Sequence, residues 1–286
     1  MLALLLGLLG LAALVNAAVL LRAAVRQKAW PRPEAALLGG IVNFLDTLGI
    51  GSMAPTMAWF KFRRMVPDQL IPQTMIAGLT LPTMVESVIF LILLGVNVDP
   101  VLLLGSVVAL LAGGLVGVRL VSRARPWVVQ AWVGVALLLA ALFYILSILN
   151  LMPVGGTANA LPPVQTALAV AASFGFGILL NFGVGNYAPT LALLSLMGLD
   201  PRLCFPIMAT GSSIAGTVMS ASHLSANRID VRIALAMVLA GIPAVLVAAL
   251  VVKSLPLTTL KWLVSGVIIY TALVVLRGAA AGRRAG

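Results

Sequence analysis

Residues 46–56 read DTLGIGSMAPT, and residues 180–190 read LNFGVGNYAPT. Both stretches place glycine, proline and polar residues in a chain that is otherwise rich in Leu, Ala and Val. Laying the chain on itself with a shift of 134 gives nine identities over residues 49–83, and these are glycines, prolines, threonines and alanines. Matched Gly, Pro and Thr arise by chance far less often than matched Leu. The repeat therefore indicates two copies of one structural unit.

The composition is that of a membrane protein. Of the 286 residues, 62% are hydrophobic and 9% are charged, and the mean hydropathy is +1.16. A soluble domain keeps a polar face toward water and does not need so much apolar surface. Nine apolar segments have bilayer-spanning length, without the alternating period of a transmembrane β-strand. They are residues 2–21, 35–60, 69–95, 100–118, 128–153, 164–199, 203–224, 233–252 and 257–276. The sequence predicts an all-α, polytopic helix bundle.

The net charge of +11 does not indicate nucleic-acid binding, because the basic residues form short clusters between the apolar segments. There they would meet anionic lipid head groups and set the orientation of the chain. In the first segment the basic residues follow the apolar run, which is the wrong order for a signal peptide. We therefore expect a retained first helix in the cell inner membrane.

The basic residues also distinguish two topologies, because Lys and Arg prefer cytoplasmic loops. If all nine segments cross with the N-terminus outside, 9 basic residues lie inside and 9 outside. If the two segments that carry the glycine motifs instead enter and leave by the same side, the count becomes 15 inside and 3 outside. The three outside are Arg202, Lys253 and Lys261. This contrast favours two re-entrant segments, with the basic loops and the C-terminus cytoplasmic.

A repeat with three crossings and one re-entrant hairpin is odd-numbered, so the second copy is expected to be inverted relative to the first. The predicted units are a first membrane repeat at residues 1–125 and a second at residues 126–255. Residues 256–286 form a C-terminal transmembrane helix with a short basic tail.

Each motif is expected to end one helix and begin another. Glycine permits unusual backbone angles, and proline suits the first turn of a helix. Ser52 and Asn186, three residues before the prolines, are residue types that cap helices. A helix start inside the membrane presents N–H groups with partial positive charge, and such breaks are tolerated where they line a cavity. Two of them would bind a small anion near the midplane.

The candidate substrate-binding residues come from the motifs and from the polar stretches 72–80 and 206–214, in which Thr80 is a further candidate. They are Thr47, Gly49, Gly51, Ser52, Thr56, Gln73, Thr74, Asn181, Gly183, Gly185, Asn186, Tyr187, Thr190, Thr210, Ser212 and Ser213. The alternative is close helix packing without a ligand, since Gly, Ser and Thr also serve that purpose in membranes.

Two acids lie inside apolar segments, where ionisation is costly, and both are candidates for ion coupling. Asp46 has Leu180 as its counterpart at the shift of 134, so coupling through it would involve only one repeat. It could instead cap a helix or pair with a basic loop residue. Glu86, opposite Ser220, could be a neutral, hydrogen-bonded acid.

The string FLDTLGIGSMAPTMAWFKF at residues 44–62, followed by VPDQLIPQTMIAG, resembles the sulfite exporter TauE/SafE family of bacterial membrane transporters. GVGNYAPT in the second half agrees with this. The resemblance covers nearly the whole chain and implies transport of sulfite, thiosulfate, sulfoacetate or similar organic acids. It also implies coupling to an ion gradient, through a proton or a sodium ion.

The chain is expected to be a secondary transporter that works by alternating access around a midplane site. An anion channel would use the same broken helices, and a scaffold would leave the paired motifs unexplained. An intramembrane enzyme would need a nucleophile with a base, or a set of metal ligands. One His and one Cys, His223 and Cys204, on opposite sides of a segment supply neither. No enzyme activity, cofactor or metal is therefore expected.

Overall fold

The computed structural model describes the chain in eight stretches and a set of single positions. These are residues 2–48, 51–67, 70–93, 98–120, 156–180, 185–225, 229–254 and 257–285, with 127, 128, 131, 134, 135, 137, 138, 141, 142, 145, 146 and 149. Nearly all of these residues are helical, and the only β pairing among them is an isolated bridge between Ala158 and Leu199. The predicted all-α class is confirmed.

Ten helices can be delimited within the described stretches. They are α1 (Leu2–Arg26), α2 (Pro33–Thr47), α3 (Met53–Arg63), α4 (Ile71–Leu93), α5 (Pro100–Leu120), α6 (Pro163–Leu180), α7 (Tyr187–Leu196), α8 (Pro201–Ser225), α9 (Val231–Ser254) and α10 (Leu257–Ala285). Seven of them, α1, α4, α5, α6, α8, α9 and α10, are long and apolar enough to cross a membrane. The predicted multi-pass helical membrane protein is confirmed at this level.

The two apolar segments that contain the motifs are each divided into two helices. Helices α3 and α7 have 11 and 10 residues, so they are about 16 and 15 Å long. That is roughly half of the hydrocarbon core of a bilayer. Helix α6 has 18 residues and is long enough to cross alone, whereas α2 has 15. Pro55 and Pro189 both occupy the first turn of the short helices, as predicted.

Both pairs of helices fold back as hairpins whose outer ends meet. In the first hairpin, Arg63 at the end of α3 donates to the carboxylate of Glu34 at the start of α2, with 2.7 Å between Nε and Oε1. In the second, the chain before α6 meets the chain after α7 through the bridge between Ala158 and Leu199. The N–H of Asp200 also donates to the carbonyl of Ala158 at 2.8 Å.

The most extensive helix contacts join α2 to α9, α5 to α6, and α4 to both α8 and α9. A shift of 134 residues relates α2 to α6, α3 to α7, α4 to α8 and α5 to α9. If each helix is replaced by its counterpart in the other repeat, the contact of α2 with α9 becomes the contact of α6 with α5. Likewise the contact of α4 with α9 becomes that of α8 with α5, which is also present.

Helices α2 and α4 both run in the same direction as α9. The contacting pairs, in order along the helices, are Gly39 with Met237, Asn43 with Gly241, Gly78 with Met237, and Pro82 with Gly241. Because the hairpin brings the chain back before α4 begins, α2 and α4 enter the bundle from the same end.

Helices α6 and α8 both run in the same direction as α5. The pairs are Gly105 with Val170 and Gly114 with Gly177 between α5 and α6, and Leu110 with Gly211 and Gly114 with Met219 between α5 and α8. A methyl group added at Gly177 would overlap the backbone of Leu110. Glycine is therefore required at this crossing to let the two helices approach.

Helices α4 and α8 cross with opposite chain directions. Near one end of the crossing the hydroxyls of Ser87 and Thr210 are hydrogen-bonded at 2.8 Å. Near the other, Gly216 lies against the side chain of Thr80. The group formed by α2, α4 and α9 thus runs opposite to the group formed by α5, α6 and α8.

Candidate functional site

A cavity of about 60 Å³ lies where the two hairpins meet α4 and α8. Its lining residues are Asp46, Gly51, Ser52, Met53, Ile76, Leu79, Thr80, Thr83, Leu180, Gly185, Asn186, Tyr187, Ser212, Gly216 and Met219. Eight of these form four pairs whose members are 134 residues apart. The pairs are Asp46 with Leu180, Gly51 with Gly185, Ser52 with Asn186, and Met53 with Tyr187. The two halves thus bring equivalent positions to one cavity.

The described residues of the cavity wall include no Lys or Arg, and Asp46 is the one acid among them. The volume has room for a few water molecules or one small ligand. No group of three or more His, Cys, Asp or Glu that could hold a metal lies among the described residues.

The start of α3 supplies backbone donors to the cavity. The N–H of Ser52 donates to Oδ1 of Asp46 at 2.8 Å, and the first intrahelical bond runs from the N–H of Thr56 to the carbonyl of Ser52 at 3.1 Å. The amides of Met53 and Ala54 precede that bond and have no acceptor within the helix. The hydroxyl of Thr56 also donates to the carbonyl of Ser52, at 2.7 Å.

The start of α7 repeats this geometry with a different side chain. Its first intrahelical bond runs from the N–H of Thr190 to the carbonyl of Asn186 at 3.0 Å. Asn186 occupies the capping position predicted from the sequence, but its side chain makes no capping hydrogen bond. Instead, its Oδ1 accepts the hydroxyl proton of Ser212 from α8 at 2.8 Å. The amides of Tyr187 and Ala188 therefore lack an acceptor within their helix.

The hydroxyls that α4 contributes to the wall donate to their own helix. Thr80 donates to the carbonyl of Ile76 at 2.6 Å, and Thr83 donates to that of Leu79 at 2.9 Å. Such bonds within a helix satisfy the hydroxyl proton. These two hydroxyl protons are therefore not available to a ligand.

Some lining residues were not predicted as site residues, although helical spacing could have found them. Ile76, Leu79 and Thr83 share one face of α4 with Thr80, at the positions i, i+3, i+4 and i+7. On α8, Gly216 follows Ser212 by one turn, and Met219 extends the same face. On each helix, one of the predicted polar residues, Thr80 on α4 and Ser212 on α8, lies on the face from which the other lining residues follow.

The second buried acid lies behind the cavity wall. Glu86 is 0% exposed. Its Oε1 accepts the hydroxyl proton of Tyr187 at 2.8 Å, and its Oε2 accepts that of Thr47 at 3.3 Å. The single hydroxyl proton of Thr47 is shared with the carbonyl of Asn43, which lies closer, at 2.9 Å. Tyr187 therefore connects the cavity to Glu86, and it joins the second motif to the first repeat.

The remaining candidate residues lie outside the cavity lining or outside the described part of the chain. Thr210 bonds Ser87, and the hydroxyl of Thr74 accepts the N–H of Asp230 at 3.0 Å. Thr190 faces a neighbouring space of about 10 Å³ next to Ser106. Thr56 donates to the carbonyl of Ser52, whereas Oε1 of Gln73 and the hydroxyl oxygen of Ser213 are buried without a hydrogen-bond partner among the described residues. Those outside the described residues are Gly49, Asn181 and Gly183.

Comparison with protein-family models, with curated proteins and with solved structures finds no match for this chain. The chemistry of the site must therefore be read from its own residues. Neutral backbone donors from two opposed helix starts favour a small, polar, electron-rich ligand.

Proposed function

We propose that the protein is a secondary active transporter of a small anion, which it moves by alternating access around the cavity between the two hairpins. The observation that carries the proposal is the set of four position pairs, 134 residues apart, that line this one cavity. Close helix packing alone would explain small residues there, but not an open space with donors from both motifs.

The proposed architecture is a pair of inverted repeats, each with a re-entrant hairpin. The opposite directions of α4 and α8 support inversion, because α8 is the counterpart of α4. The common direction of α2 and α4 supports re-entry, since a full crossing by α2 and α3 together would reverse the direction of α4. The contact between Glu34 and Arg63 supports the same conclusion at the outer ends of the first hairpin. The basic loops and the C-terminus are proposed to face the cytoplasm, with the bundle in the inner membrane.

An anion is the proposed cargo because two helix starts lie at the cavity wall. The amides at the starts of α3 and α7 have no acceptor within their own helices, and they carry the positive ends of two helix dipoles. In a site sheltered from water this attraction is stronger than at an exposed helix end. With no Lys or Arg on the described wall, binding would be weak enough for release.

A sulfur-containing oxyanion or organosulfonate is the proposed class of substrate. This part of the proposal rests on the resemblance of the motifs to the sulfite exporter TauE/SafE family. The cavity of about 60 Å³ suits a compact oxyanion better than a large organic acid.

The first test is a thermal-shift screen of the purified protein against sulfite, thiosulfate, sulfonates and small carboxylates. A ligand that binds only the native state raises the melting temperature. We expect Ser52→Ala and Asn186→Ala to weaken binding of the selected anion, because each alters one helix start at the cavity. Ser173→Ala is the control, since its hydroxyl donates to its own helix at the carbonyl of Ala169. Unchanged affinity in both cavity variants would reject the site.

The second test separates a carrier from a channel. Purified protein in proteoliposomes is expected to accumulate the anion with saturable kinetics when an ion gradient is imposed. Passive flux far above carrier rates, without accumulation, would instead identify an anion channel.

A further inference from the structure

The cavity is lined by matched positions of the two repeats, but the charge at these positions is not matched. Asp46 is 3% exposed and lines the cavity, while the matched position in the second repeat is Leu180. The other three matched pairs combine neutral residues. One half of the transporter therefore brings a carboxyl group to the site, and the other half does not.

The carboxylate of Asp46 occupies the place that the proposed anion would take. Its Oδ1 accepts the N–H of Ser52 at 2.8 Å, directly before the start of α3. A substrate anion would compete for that donor and would also be repelled by the negative charge at close range. A neutral carboxylic acid would remove the repulsion, and its O–H could donate to the anion.

We propose that Asp46 carries the proton that is co-transported with the anion. As a carboxylate it holds the N–H of Ser52 and keeps anions out of the cavity. When it takes up a proton, it frees that N–H and adds its own O–H to the donors. The inference rests on the proposed function and names its coupling ion and the residue that binds it.

The other titratable groups near Asp46 are placed less well for this role. Glu86 of α4 lies behind the wall and already accepts hydroxyl protons from Tyr187 and Thr47. Tyr187 of α7 faces Asp46 across the cavity but donates its proton to Glu86. The charged residues of the helices packed on α2 lie near helix ends, away from the start of α3. They are Lys61 and Arg63 of α3, and Arg232 and Lys253 of α9.

The proposal predicts that proton uptake and anion binding are linked one to one. Linkage then requires the affinity for the anion to fall by about tenfold for each pH unit above the titration of Asp46. Sulfite titrates near neutral pH and would obscure this dependence. Thiosulfate and methanesulfonate stay fully ionised there, so they are the probes.

The experiment measures proton uptake when each probe is added to purified protein in weakly buffered detergent solution with a pH indicator. Wild-type protein is expected to take up one proton for each anion bound. Asp46→Asn is expected to bind the anion without proton uptake and with an affinity that does not depend on pH. Glu34→Gln is the control, because Glu34 is an exposed carboxyl at the outer end of the same helix, paired with Arg63 and away from the cavity. It is expected to retain both the uptake and the pH dependence.

Two further results complete the test. Asp46→Glu keeps a titratable group, so it is expected to retain proton uptake with a displaced pH midpoint. This variant replaces Asp46→Asn if the latter fails to fold. Proton uptake that persists in Asp46→Asn, or anion binding without uptake in the wild type or in Asp46→Glu, would overturn the inference and leave the proposed function intact. Absence of anion binding to the wild-type protein in the complete ligand screen would instead reject the proposed function itself.

Discussion

Replacing Gly51 by alanine tests how the first motif breaks its helix. Gly51 has a φ of +85°, a conformation that costs residues with a β-carbon about 1–2 kcal/mol. An added β-carbon would meet nothing within 4 Å, so the cost is conformational and not steric. Its counterpart Gly185 has no positive φ, and a β-carbon there would lie 3.8 Å from Cβ of Met53, which is an ordinary contact. Gly185→Ala is therefore the matched control.

Both variants are to be unfolded thermally and chemically in detergent. Gly51→Ala is expected to lose about 1–2 kcal/mol of unfolding free energy, which corresponds to a melting temperature lower by about 2 °C or more for each kcal/mol. Gly51→Asn is expected to recover part of this loss, because asparagine tolerates the left-handed region better than alanine does. Equal losses in Gly51→Ala and Gly185→Ala, or no loss in the former, would refute the reasoning.

Three further predictions concern packing, a buried hydrogen bond and a surface ion pair. Gly177→Ala is expected to cost about 1–3 kcal/mol of unfolding free energy, because the added methyl group overlaps the α5 backbone. Gly175→Ala should not destabilise the protein, since Gly175 lies on the same helix with open space around it. Tyr187→Phe is expected to cost about 1–3 kcal/mol in the same unfolding assay, since it removes a donor to buried Glu86, and a neutral result would mean that water replaces the hydroxyl. The hydrogen bond from Arg63 lowers the pKa of exposed Glu34. The small stabilisation from this bond is present above the pKa of Glu34 in the unfolded chain, and it is lost as the pH falls through the pKa of Glu34 in the folded protein. Glu34→Gln should therefore destabilise the protein slightly at neutral pH and not in acid, and a loss of stability that persists in acid would contradict this.

The repeat and the hydropathy pattern predicted much of the architecture because both depend on the backbone and on lipid exposure. The segments 35–60 and 164–199 were expected to break at the glycine motifs, and each is divided into two helices there. The charge count favoured hairpins over crossings. That topology stays a prediction; the outer ends of both helix pairs meet in the structure, through Glu34 with Arg63 and through Ala158 with Leu199.

The partners of the polar side chains could not be predicted in the same way. Glu86 and Tyr187 lie 101 residues apart in the chain, and their contact depends on how α7 packs near α4. The sequence assigned equal roles to Gly51 and Gly185, but only Gly51 has a positive φ. A repeated motif predicts the position of a chain break, but it does not fix the backbone angle at each glycine.

The site divides its proposed tasks between a symmetric frame and an asymmetric charge. Two opposed helix starts with equivalent geometry would let either half move around a bound anion without favouring one side. A transporter with only these neutral donors would have no group at the site that could couple binding of the anion to a second ion. At the cavity position where the second repeat has Leu180, the first repeat has Asp46. In the proposed mechanism this carboxyl group provides the coupling, because binding of the anion would depend on its uptake of a proton. In this proposal, selectivity for negative charge rests on the helix starts that both repeats bring to the cavity, and coupling rests on Asp46, the one charged member of the four matched pairs that line it.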